Sequence, residues 1–84
     1  MNNIMIISQN KKIAMNYNNI FALGIEECYY EGKLKEWRIV AKSVGISHLT
    51  TLGFYSSEYQ CVEVFNTITD KIIRGVGRIE MPER

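Results

Sequence analysis

The apolar residues of this 84-residue chain change their period at Ser57. Before that point they alternate with polar residues. After it they recur every three or four positions. A period of two belongs to strands and a period near 3.6 to a helix, because side chains alternate across a strand and wind around a helix. Cys61, Phe65, Ile68 and Ile72 follow at spacings of four, three and four, flanked by Val62, Thr69 and Ile73. That is one apolar stripe on one helix. Ser57 stands three residues before Gln60, which fits a capping box, and Glu58 suits the positive end of the helix dipole. Lys71 and Arg74 occupy the last turn, and Gly75 is a stop signal. The spacing predicts a single helix from about Ser57 to Arg74.

The rest of the chain reads as strands. Met5 to Ser8 and Ile13 to Met15 form a short hairpin around the polar turn Gln9-Asn10-Lys11-Lys12. Asn16-Tyr17-Asn18-Asn19 favours turn conformations. Ile20 to Tyr30 is a long strand. Glu31-Gly32-Lys33 is a tight turn in which Gly32 supplies positive φ. Leu34 to Val44 runs back, Gly45 punctuates, and Ile46 to Tyr55 is the next strand. Val76 to Met81 is a short final strand that Pro82 ends. The predicted fold class is α+β: an antiparallel meander of about five to six strands packed on one C-terminal amphipathic helix, followed by a short final strand. A PH-like barrel is the alternative, but its strand count is higher and its closing helix has no strand after it. Residues 1–84 leave room for one domain and one core. A chain this short buries only roughly 60–65% of its unfolded surface, so oligomerisation is a natural supplement.

Composition excludes several function classes. Ten basic and nine acidic residues give a net charge of +1. Nucleic-acid binders draw affinity from phosphate neutralisation and carry a basic excess, so nucleic acid is not the expected partner. No stretch approaches the ~20 apolar residues of a membrane span. The Ile4-Met5-Ile6-Ile7 run is too short for a signal-peptide core. The expected location is therefore the cytoplasm, and Cys28 and Cys61 are expected there as two free, buried thiols.

No residue set calls for catalysis, a metal or a cofactor. His48 is the one histidine, and no Cys-x-x-Cys or His-x-x-x-His spacing exists. Ser47 and His48 point to opposite faces of a strand. Cys61 lies in the first helical turn, but also on the apolar stripe. Glu26 and Glu27 diverge as strand neighbours, and a cross-strand pair with Arg38 or Lys42 is their ordinary use. Gly75-Val76-Gly77-Arg78 follows the helix, whereas a phosphate loop precedes one. The chain is expected not to be an enzyme.

The aromatic and apolar strand residues carry the functional reading. One helix covers one face of a sheet, and Leu23, Ile25, Trp37, Ile39, Leu49 and Tyr55 are suited to that face. Val40, Ile46, Leu52 and Phe54 then lie opposite, where either the N-terminal hairpin or a partner covers them. The first expectation is a non-catalytic protein-interaction module, a homo-oligomer with a dimer as the first form. It binds a protein through that second face or through an unpaired edge strand. The second is a small-ligand (nucleotide) binder with a pocket between protomers. There Tyr29, Trp37 and Tyr55 stack on a base while Arg38, Lys42 or Arg78 meet phosphate.

Thr51-Leu52-Gly53-Phe54-Tyr55-Ser56-Ser57-Glu58, Glu36-Trp37-Arg38-Ile39-Val40-Ala41, Glu80-Met81-Pro82-Glu83 and the opening Ile6-Ile7-Ser8-Gln9 resemble a loose group of short uncharacterised proteins of Gram-positive bacteria, their prophages and mobile elements. In that group a strand ending Leu-Gly-x-Tyr hands over to a helix, and a short strand closes the chain. The resemblance implies a small accessory protein. From a phage or mobile element, its partner would be a host protein, such as a defence component that it inhibits.

Overall fold

The structure is a computed structural model, and residues 3–83 are described. Six strands, one 3₁₀ turn and one helix follow in order: β1 (Met5–Ile7), β2 (Ala14–Asn16), the turn Tyr17–Asn19, β3 (Ile20–Tyr30), β4 (Lys33–Ser43), β5 (Thr50–Tyr55), α1 (Glu58–Ile73) and β6 (Arg78–Glu80). The fold is α+β, as the change of period predicts. The strands divide into two three-stranded sheets, ordered β2-β1-β6 and β3-β4-β5. The final strand lies parallel to β1, pairing Ile6 with Ile79. All other pairs are antiparallel.

The helix begins and ends where its sequence signals stand. Ser57 is the N-cap, and its hydroxyl accepts from the Gln60 backbone N–H at 3.1 Å. The Gln60 side chain does not complete a capping box with Ser57; its Oε1 accepts instead from Ser56 Oγ at 3.5 Å. At the other end Gly75 adopts φ 74°. Gly75 N–H donates to Ile72 O and Val76 N–H to Lys71 O, both at 3.0 Å. This is the Schellman arrangement, which satisfies carbonyls that the helix leaves open.

Cys61 and Ile68 are buried on the helix, with Val64, Phe65 and Ile72 packed beside them. The flanks of the predicted stripe fare differently: Val62 is 40% and Ile73 84% exposed. The helix meets Leu23, Ile25, Trp37, Ile39 and Tyr55, five of the six residues expected on its face of the sheet. Leu49 is not among them. The strand predicted from Ile46 begins only at Thr50, and residues 45–49 form a loop that leaves Leu49 exposed.

The N-terminal hairpin does not cover the opposite face of the large sheet. Ile4 and Ile6, with Ile79 and Met81 from the chain's end, join the same core as the helix and the inner residues of β4 and β5. The small sheet and the helix therefore share one side.

The β3-β4 hairpin turns through Glu31 (φ 52°) and Gly32 (φ 79°). Two successive positive φ values define the type I′ turn, whose twist matches that of the strands it joins. Among the described residues no helix is long and apolar enough to cross a membrane.

Candidate functional site

The four residues expected on an apolar second face do not form one. Leu52 is 1% exposed and belongs to the core. The cause is a bulge. Ile39 pairs with Gly53 but Val40 pairs with Thr51, so Leu52 is an extra residue on β5. A bulge turns its strand and re-aims the side chain, so the alternation read from sequence breaks there. Val40 does lie outside the core cluster, but it is only 5% exposed. Ile46 lies beyond β4, in the loop. Phe54 remains at the surface, 37% exposed.

The outer face is polar and charge-paired. Arg38 Nε donates to Glu26 Oε1 at 3.0 Å, and its Nη1 donates to Thr51 Oγ1 at 2.9 Å. One guanidinium therefore spans β3, β4 and β5. Lys42 Nζ stands 5.6 Å from the centre of the Phe21 ring, within cation–π range.

The residues grouped for a nucleotide also separate. Trp37 and Tyr55 are cross-strand partners, but both turn to the core. Arg38 and Lys42 turn to the other face. Tyr29 stands near the hairpin tip, and Arg78 lies on β6 beside Glu80. Among the described residues the stacking and the cationic groups therefore lie on different faces and elements of the chain. Both cysteines are free. Cys61 is buried, whereas Cys28 is only half-buried, and burial pushes both thiols up from the ordinary 9.0. Among the described residues no three His, Cys, Asp or Glu side chains gather as metal ligands.

The structure instead draws attention to the two edges of the large sheet. At β5 the edge is closed by a side chain. Gln9 N–H donates to Leu52 O at 2.7 Å. The Gln9 amide then accepts from Phe54 N–H and donates to Phe54 O, both at 2.9 Å. A primary amide presents an N–H donor and a C=O acceptor side by side, so it satisfies one residue of an edge as a neighbouring strand would. Ser8 and Asn10 hold the loop in place. Ser8 Oγ donates to Asn10 Oδ1 at 2.7 Å and accepts from Ile13 N–H at 3.0 Å.

Tyr55 anchors the same corner. It is fully buried, and its hydroxyl donates to Pro82 O at 2.8 Å. Burial pushes its phenol up to about 12. Gly53 makes room for it, because a Cβ at Gly53 would stand 2.8 Å from the Tyr55 hydroxyl oxygen. Ser8-Gln9, Leu52-Gly53-Phe54-Tyr55 and Met81-Pro82 are thus three parts of one structural corner. The Leu-Gly-x-Tyr pattern has a physical basis here: a bulged residue turned inward, a gap, a surface residue and the ring that fills the gap.

The β3 edge has no such seal. β3 pairs with β4 alone, and no backbone or side-chain hydrogen bond among the described residues closes its outer edge. Its register with β4 is unbroken from Ala22 to Cys28. Phe21 and Tyr29, just outside that stretch, are 62% and 57% exposed. A groove of about 220 Å³ opens beside Phe21, between the strand and the helix, and Ile20, Leu23, Phe65 and Thr69 line it. The meander foretells an unpaired edge strand. Which edge stays open depends on Gln9, 45 residues from the strand it seals, and no local pattern signals that contact.

No protein-family model matches the chain, and no curated protein or solved structure shows significant similarity to it.

Proposed function

We propose that this chain is a non-catalytic protein-interaction module that binds by strand addition at the β3 edge. The observation that carries this reading is the contrast between the edges. An open edge is a template for another chain, and folds commonly block such edges. Here one edge is sealed by a dedicated glutamine, while the longer one is left unpaired with exposed aromatics at its ends. In strand addition, main-chain hydrogen bonds supply affinity and flanking side chains supply selectivity. The group that the chain resembles suggests an accessory protein of a phage or mobile element. In that setting the partner is a host protein, such as a defence component whose action is inhibited.

Photo-crosslinking in cells that carry the gene tests this. A photoreactive residue at Phe21 or at Tyr29 is expected to give one discrete protein adduct, and the same probe at Glu63 on the helix none. No adduct from β3, or equal adducts from Glu63, overturns the reading. The mass of the adduct identifies the partner.

A further inference from the structure

We draw no further inference here: the strongest candidate, the outer edge of β3 with the groove of about 220 Å³ between that strand and the helix, belongs to the site already described, and nothing in the structure shows what covers it.

Discussion

The two edges of the large sheet end differently. β5 is six residues long, and a loop from the other sheet closes it; β3 is eleven residues long, and among the described residues nothing closes it. The sealed edge is tied to the core through Leu52, Gly53 and Tyr55, so disturbing it disturbs the fold. The open edge carries Phe21, Tyr29 and Tyr30 outside the core, so truncating those side chains leaves the fold intact, whereas Leu23 and Ile25 of the same strand pack on the core. The stabilising corner and the proposed binding edge thus lie at opposite edges of one sheet. The sharpest way to break this contrast is to truncate a tyrosine on each side. Tyr55→Ala removes a fully buried ring and is expected to cost about 3–5 kcal/mol. Tyr29→Ala is expected to stay within about 0.5 kcal/mol. In a domain of this size each kcal/mol moves the midpoint by roughly 4–8 °C, so thermal unfolding separates the two clearly. Equal losses would remove the contrast.

Alkaline pH probes the same corner without truncation. Burial raises the Tyr55 phenol from 10.0 to about 12. The native state keeps this proton where the unfolded chain releases it. The neutral phenol therefore contributes its full stability below pH 10 and loses it as pH climbs toward 12. The loss is on the order of 2 kcal/mol. Tyr55→Phe is expected to give up the hydrogen bond to Pro82 at neutral pH and to lack this alkaline decline. Urea midpoints from neutral to alkaline pH measure both. A variant that retains the full decline would assign it to another group.

The seal itself comes next in size. Gln9→Ala removes two side-chain hydrogen bonds to Phe54 and is expected to cost about 1–2 kcal/mol. Exchange at the Phe54 amide should accelerate, while exchange along β3 is unchanged. Gln9→Glu sharpens the point at neutral pH. A carboxylate still accepts from Phe54 N–H, but it cannot donate to Phe54 O and faces it with like polarity. It should destabilise at least as much as alanine, although it is nearly the same shape. If glutamate restores the glutamine value, the donated bond contributes nothing.

The parts of this molecule that are legible in sequence are those with local causes. Ser57 and Gly75 bound the helix because caps act within a few residues. Gly32 marks the hairpin for the same reason. Leu52 misleads because a bulge is a property of two paired strands, and alternation along one strand cannot show it. The parallel β1-β6 pair joins the two ends of the chain through contacts that no period encodes. Gln9 reads as one polar residue in a turn, since its partner lies 45 residues away.

The smallest expected effect lies where the sealing loop meets the chain's end. Lys11 Nζ stands 2.8 Å from Glu80 Oε1, with both side chains about half exposed. The hydrogen bond and charge of Lys11, helped by Arg78, hold the Glu80 carboxyl below its ordinary 4.5. A depressed carboxyl contributes stability above its unfolded pKa and loses it as pH falls through its folded one. The window therefore lies at and below pH 4.5. Exposed pairs of this kind are weak. Glu80→Gln is expected to lower the urea midpoint slightly at about pH 6 and to match the wild type at about pH 3, where the native carboxylate is also being neutralised. Convergence at low pH, more than the size of the loss, identifies the pair. A variant offset equally at both pH values would show that Glu80 acts through packing on β6, and the loop that carries Gln9 would then be held by Ser8, Asn10 and the bonds of Gln9 to β5 without help from Lys11.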